Sequence, residues 1–205
     1  MIAVIDYGMG NIGSIINMFH KIGADAIATN NILELKNAEK LVLPGVGAFD
    51  NGMEKLEELG LIEPIREMAL QEEKPILGIC LGMQLFGLSS EEGKRSGLGL
   101  IDFDVRKFRL KEEKELKVPH MGWDIVKFVR TDSKLLRDIH GQQRYYFVHS
   151  YHAFCKKKEN ILMTCDYGYE FAAAVCRNNI YGVQFHPEKS HMFGMALLEN
   201  FVRSI

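Results

Sequence analysis

The stretch KPILGICLGMQ, Lys74 to Gln84, decides the architecture of this chain. A charged, Pro-containing lead-in gives way to the apolar run Ile76 to Ile79, and Cys80 then stands between Gly78 and Gly82. Apolar strand, tight turn and helix in that order predict a parallel α/β unit with Cys80 at the turn. Glycine suits the flanking positions because the central residue of such an elbow has a crowded backbone, where larger neighbours would clash. The N–H groups that open a helix at Leu81 would point back at the turn and favour negative charge on the sulfur. A buried structural cysteine fits the same residues, so the elbow alone leaves both readings open.

The far end of the chain bears on the choice. The apolar-rich segment Tyr181-Gly182-Val183-Gln184-Phe185 runs straight into His186-Pro187-Glu188. A thiol nucleophile needs a base to take and return a proton, and the base needs a partner to hold its tautomer and orientation. Residues i and i+2 of an extended segment point to one side, so His186 and Glu188 are predicted to face a common neighbour. Pro187 fixes the backbone between them and has no N–H to compete for the carboxylate. Alone, His186 reads better as an ordinary surface or capping histidine; with Cys80 and Glu188 the better reading is a Cys-His-Glu triad.

At 205 residues the chain has room for one domain with a sizeable core. A formal net charge of -2 gives no basic excess, which argues against nucleic acid or an anionic membrane and for small-molecule or protein partners. Cys80, Cys155, Cys165 and Cys176 form no CxxC pair and no metal-ligand spacing with the histidines, so neither metal nor cofactor is expected. Such cysteine usage suits a reducing compartment, and a cytoplasmic location is expected. The N-terminal MIAVIDYG reads as a strand and not a signal peptide, and no apolar run approaches the ~20 residues of a membrane span.

In chain order, a buried strand over 2–5, a glycine loop over 6–11 and a helix over 12–22 closed by Gly23 make a first βα unit. Gly8 and Gly10 lack the third glycine and the distal acidic residue of a dinucleotide site. Strands follow over 24–29 and 41–43. The second ends in Pro44-Gly45-Val46-Gly47, at a strand's carboxyl end where open α/β sheets place ligands. That loop fits an oxyanion donor and a plain turn equally. Asp50 is read as a helix N-cap and Gly60 as its stop, and helices are predicted over 62–73 and 81–88. Beyond them, strands over 98–108, 125–129, 144–148, 161–165 and 172–176 suggest antiparallel additions to a parallel core. Arg177-Asn178-Asn179 reads as a turn, and the charged runs 111–117 and 156–158 as solvated tips. A final helix over 190–202 should bury Phe193, Leu197, Leu198 and Phe201. The expected fold is a single α/β domain over 1–205, with a central, mostly parallel sheet flanked by helices and antiparallel strands added in the second half.

Taken together, GICLGMQ, PGVG and FHPEKS, with the YGMGN loop, PHMGW at 119–123 and FVHSY at 147–151, resemble the class I, triad glutamine amidotransferases over essentially the whole length. Within them the chain looks like the glutaminase subunits that feed ammonia to a separate (β/α) barrel cyclase in histidine biosynthesis. The resemblance implies hydrolysis of L-glutamine to glutamate and ammonia in a heterodimer. It implies Cys80 as nucleophile, His186 as general base and acid, and Glu188 as the residue that orients it. It also implies an oxyanion hole from the N–H of Leu81 and one from Val46 or Gly47, and glutamine held by Gln84 and the segment His149-Ser150-Tyr151. Asn11, Met121, Trp123 and Lys189 match positions near the cyclase contact, with core packing the alternative for Trp123 and a solvated charge for Lys189. One residue departs from the pattern: the family's usual Asn after PHMGW is Asp124 here. That departure keeps open a paralogous subunit serving amidino-sugar synthesis, beside a stand-alone cysteine hydrolase of γ-glutamyl bonds.

Overall fold

A computed structural model describes residues 1–111 and 116–205 of the chain. The charged run predicted as a tip over 111–117 lies largely outside the described residues. Four short strands open the architecture: β1 (Ile2–Ile5), β2 (Ala26–Thr29), β3 (Lys40–Gly45) and β4 (Ile76–Cys80), all parallel, in the order β2-β1-β3-β4. Side chains alternate across β4, with Ile76 packing on one side and Leu77 and Ile79 on the other, as a strand covered on both faces requires.

Helices supply the two covers. α1 (Ile12–Lys21) packs Ile15 and Phe19 on one face, where the C-terminal helix α6 (His191–Arg203) adds Leu197, Leu198 and Phe201. The other face is covered by α2 (Ile32–Asn37), α3 (Phe49–Glu58), α4 (Ile62–Leu70) and α5 (Leu81–Leu85) through Leu35, Phe49, Met53, Leu56, Ile65 and Leu85. Fully burying one such side chain is worth roughly 1.5–3 kcal/mol, so the sheet is clamped from both sides.

The rest of the chain extends the sheet. β5 (Ser89–Ser90), β6 (Phe103–Lys107), β7 (His120–Phe128), β8 (Gln143–His149), β9 (Tyr151–Cys155), β10 (Ile161–Asp166), β11 (Glu170–Arg177) and β12 (Ile180–Val183) follow. β12 lies parallel to β4, and antiparallel pairings carry the sheet outward through β11, β10, β7 and β8. The expectation of a mostly parallel core with antiparallel additions is borne out.

Several boundaries moved. The helix predicted over 62–73 ends at Leu70 and the one over 81–88 at Leu85. The strand predicted over 98–108 is confined to Phe103–Lys107, that over 125–129 begins at His120, and β9 and α2 were not foreseen. Asp50 is not the cap of α3, because the helix starts at Phe49 with Ala48 as its N-cap. Instead the Asp50 carboxylate accepts the N–H groups of Lys94 and Arg95 at 2.9–3.0 Å, and the Phe49 N–H donates to Glu92 Oε2 at 2.8 Å. In α6 the predicted Phe193 is only partly buried. No helix among the described residues is long and apolar enough to cross a membrane.

Candidate active site

Parallel register brings three carboxyl ends to one edge. Gly45 on β3 pairs with Cys80 on β4, and Val183 on β12 pairs with Ile79, so the 44–47 loop, the cysteine and the 184–188 segment converge. Cys80 takes φ 55° and ψ -110°, a conformation that L-residues avoid, between the end of β4 and the start of α5. The approach is tight: a Cβ on Gly82 would sit 1.8 Å from the Leu43 carbonyl oxygen, and one on Gly78 2.7 Å from the Met83 backbone. The predicted elbow is present, and glycine is required where α5 packs down on β3 and β4.

His186 follows β12, its N–H donating to the Tyr146 carbonyl at 2.9 Å. Its Nδ1 lies 2.8 Å from Glu188 Oε1, and the Glu188 side chain is only 1% exposed. The two residues do not sit on an extended segment as predicted. Pro187–Lys189 is a single 3-10 turn, and Ser190 locks it by donating its hydroxyl to the His186 carbonyl at 2.6 Å and accepting the Tyr146 N–H at 3.0 Å. His186 Nε2 is buried and, among the described residues, makes no hydrogen bond of ordinary geometry, so it remains available toward the sulfur. Burial alone would hold this imidazole down, but the nearby Cys80 sulfur and the Glu188 carboxylate outweigh it and push His186 up to about 10.

A cleft of about 320 Å³ opens over these groups, lined by Val46, Gly47, Cys80, Leu81, Gln84, Glu92, Pro119, the 148–151 segment and His186. A wider depression of about 960 Å³ around Arg130, Lys134 and Arg177 lies by the turn before β12, and none of Cys80, His186 or Glu188 lines it. Leu81 is the first residue of α5, so its N–H has no acceptor within the helix. Gly47 has φ +114°, and Tyr7 donates its hydroxyl to the Pro44 carbonyl at 2.7 Å, tying down the root of that loop.

Two residues not singled out from sequence line or back this cleft. Gln184 is fully buried; its Nε2 reaches Cys80 Sγ at 3.8 Å and its Oε1 accepts from Gln84 Nε2 at 3.0 Å. Glu92 brings a carboxylate into the cleft wall. Gln84 and His149, expected to hold the substrate, both line the cleft, and Gln84 Nε2 donates to Gln184 and to the Tyr151 carbonyl at 3.0 Å. Both His149 nitrogens are likewise taken, Nδ1 by the Tyr151 carbonyl at 2.7 Å and Nε2 by His120 at 3.3 Å. Ser150 and Tyr151 remain at the cleft wall.

The residues read as partner contacts lie outside it. Met121 is 62% and Trp123 41% exposed, which removes core packing as an account of Trp123. Trp123 stacks on His191 with centroids 5.5 Å apart, and the Arg144 guanidinium lies 5.6 Å from its ring. Asn11 is exposed at the start of α1, and the exposed Lys189 holds its ammonium 5.6 Å from the Tyr146 ring centroid.

Comparison with known proteins gives matches over nearly the whole chain. Residues 3–205 match the family model described as glutamine amidotransferase class-I. A Methanococcus maripaludis protein named imidazole glycerol phosphate synthase subunit HisH 2 is 56% identical over 99% of both chains. A Pseudomonas aeruginosa protein of the same name is 49% identical over 100% of both. A solved structure described as glutamine amidotransferase superposes with a TM-score of 0.74 at 14% identity, covering 98% of this chain and 96% of that one, a likeness of fold.

Proposed function

This chain belongs to the class I glutamine amidotransferases, and on that premise we propose that it is the glutaminase subunit of an imidazole glycerol phosphate synthase. Its reaction is hydrolysis of L-glutamine to glutamate and ammonia, with the ammonia passed to a cyclase subunit of (β/α) barrel form. The observation that carries the reading is the convergence of Cys80 and His186 on one cleft, with Glu188 bonded to the far nitrogen of the imidazole at 2.8 Å.

In this mechanism the Cys80 sulfur attacks the side-chain amide carbon of glutamine and the carbonyl oxygen takes on negative charge. The N–H of Leu81 and one from Val46 or Gly47 meet that oxygen; a donor of this kind is typically worth ~3 kcal/mol. His186 gives its proton to the departing nitrogen as the C–N bond breaks, and ammonia leaves a thioester behind. Water then attacks the thioester, His186 takes its proton, and glutamate leaves as the sulfur is released. The Glu92 carboxylate suits the α-ammonium group of the substrate, since it is an acidic side chain lining the cleft. Exposed Met121 and Trp123, with Asn11 and Lys189, supply the docking face for the cyclase.

Release of glutamate by the full chain, measured with and without the cyclase, tests the reading. The expected result is turnover that rises with the cyclase and is lost in Cys80→Ala. Full activity in that variant would remove the triad, and strong activity without a partner would favour a stand-alone hydrolase of γ-glutamyl bonds. A second reading, in which the ammonia goes to a sugar that becomes an amidino sugar, is kept open by Asp124. Failure to restore growth of a histidine auxotroph would select it.

A further inference from the structure

Between the Tyr151 carbonyl and the Asp124 carboxylate run two imidazoles in single file. His149 Nδ1 lies 2.7 Å from the carbonyl oxygen, His149 Nε2 lies 3.3 Å from His120 Nδ1, and His120 Nε2 lies 3.2 Å from Asp124 Oδ2. His120 and His149 are register partners on β7 and β8, so the file is built into the sheet. A carbonyl and a carboxylate only accept, hence three contacts need three hydrogens, while two neutral imidazoles carry two.

Working inward from the carbonyl makes the shortage explicit. His149 must carry its hydrogen on Nδ1, so its Nε2 accepts; His120 must then donate from Nδ1, and its Nε2 faces the carboxylate with a bare lone pair. The file closes with one additional proton, on an imidazole or on Asp124 Oδ2. Asp124 Oδ1 is already occupied, accepting the Ile125 N–H at 3.0 Å. An asparagine at position 124 would present an N–H and close the file with no added proton. Without that proton, the carboxylate draws the His120 hydrogen to Nε2 and moves the mismatch inward, toward His149 and the Tyr151 carbonyl.

That carbonyl belongs to the cleft. It also receives Gln84 Nε2 at 3.0 Å; Gln84 holds Gln184 Oε1 at 3.0 Å, and Gln184 Nε2 reaches the Cys80 sulfur at 3.8 Å. We propose that Asp124, His120 and His149 are positioning residues for glutamine hydrolysis, and that the proton they share governs how firmly the wall behind Cys80 is held. This inference rests on the glutaminase reading of the cleft.

Among the described residues, Asp124 is the carboxylate that acts on the imidazoles of the file. His120 is flanked by the rings of Tyr167 at 3.9 Å and Phe147 at 4.7 Å, and the Cys165 thiol on β10, pushed up to about 12 by burial and then by Asp124, stays protonated. His152 and His186 face His149 as further imidazoles, and His152 Nε2 is engaged by the Tyr169 hydroxyl at 2.8 Å. Burial holds both file imidazoles below their ordinary value, His149 strongly, with Asp124 opposing this at His120. The added proton therefore leaves as pH rises through a range below the usual imidazole value of 6.5.

Asp124→Asn, which is isosteric and sits at a partly exposed position, tests this in the full chain by two readings. Nitrogen-15 resonances of the imidazoles should show His120 and His149 responding to one shared titration in the parent, absent from the variant. Steady-state kcat/KM for glutamine, with the cyclase present, should fall in the parent relative to the variant by about three- to tenfold between about pH 5.5 and about pH 8, the fold-change of one ordinary hydrogen bond. Identical imidazole titrations in the two proteins would overturn the proton count. Different titrations with parallel kcat/KM profiles would overturn the coupling to the cleft. A differing titration in proteins that release no glutamate would instead overturn the glutaminase reading and leave the shared proton standing.

Discussion

His186 Nδ1 and Glu188 Oε1 lie 2.8 Å apart across a single 3-10 turn, both side chains sealed from solvent. Among the described residues Glu188 Oε2 is buried without a hydrogen-bond partner, so the bond to the imidazole is what engages this carboxylate. A carboxylate kept this dry stabilises the imidazolium that must form during proton transfer. Replacing it by an amide keeps the shape and removes the charge. Glu188→Gln should therefore lower kcat for glutamate release by about 10²–10⁴, the span attributed to a positioned acid-base group, with KM little changed. A loss of less than about tenfold would take Glu188 out of this role.

The strained elbow predicts opposite outcomes for two glycines. At Gly82 a Cβ would meet the Leu43 carbonyl oxygen at 1.8 Å, a collision with backbone that a side-chain rotation cannot relieve. Gly13, in the first turn of α1, has open space at its missing Cβ among the described residues beyond its own helix backbone. Gly82→Ala should cost about 3 kcal/mol or more, whereas Gly13→Ala should stabilise by about 0.5 kcal/mol through helix propensity and a less free unfolded chain. Denaturant midpoints of the two variants check this, and a Gly82→Ala protein as stable as its parent would mean that α5 and β3 are not packed this closely.

How much of this could be read in advance depends on whether the information is local. Strand, elbow and helix around Cys80 were legible because an apolar run and two glycines are enough to specify them, and α1 and α6 because their apolar spacing runs over several turns. Gln184 was not, since its partners Gln84 and Cys80 lie 100 and 104 residues away in sequence. The short helix α2 did carry a signal in Asn31, whose side chain accepts the N–H groups of Leu33 and Glu34, but six residues show too little periodicity to weigh. Asp50 was read as a cap by residue type alone; only the fold reveals that its carboxylate faces the 94–95 backbone. The Asp124–His120–His149 file joins β7 to β8 and ends on a β9 carbonyl, so the sequence exposed only one oddity, an acid where an amide is usual.

The histidines make stability depend on pH in two directions. His186 is carried from 6.5 to about 10 against the effect of burial, by the Cys80 sulfur and then Glu188. Its stabilisation is complete below pH 6.5 and is lost as pH rises from there through about 10. His149 and His152 are held below 6.5 by burial, so what they contribute is present above 6.5 and is lost as pH falls. Unfolding free energy should decline on both sides of that value. Cys80→Ala should flatten the alkaline side, by removing the larger raising influence on His186, and leave the acid side in place. Chemical denaturation across a pH series measures both limbs; an alkaline limb unchanged in Cys80→Ala would separate His186 from the sulfur.

Glu92 holds two jobs at once, and its substitution separates them. Oε2 accepts the first N–H of α3 from Phe49 at 2.8 Å, in place of the side-chain cap that Ala48 lacks, while the carboxylate fronts the cleft. A glutamine side chain at 92 retains an acceptor for Phe49 and loses the negative charge, so the fold should stand while the attraction for an α-ammonium is removed. A hydrogen bond to a charged group contributes about 1.5–3 kcal/mol, or roughly ten- to a hundredfold in affinity. Glu92→Gln should accordingly raise KM for glutamine by about that factor with kcat changed far less, because the α-ammonium is remote from the amide that is cleaved. If kcat fell instead and KM held, the carboxylate would be acting on the reacting end of the substrate, and glutamine would have to lie in the cleft the other way round.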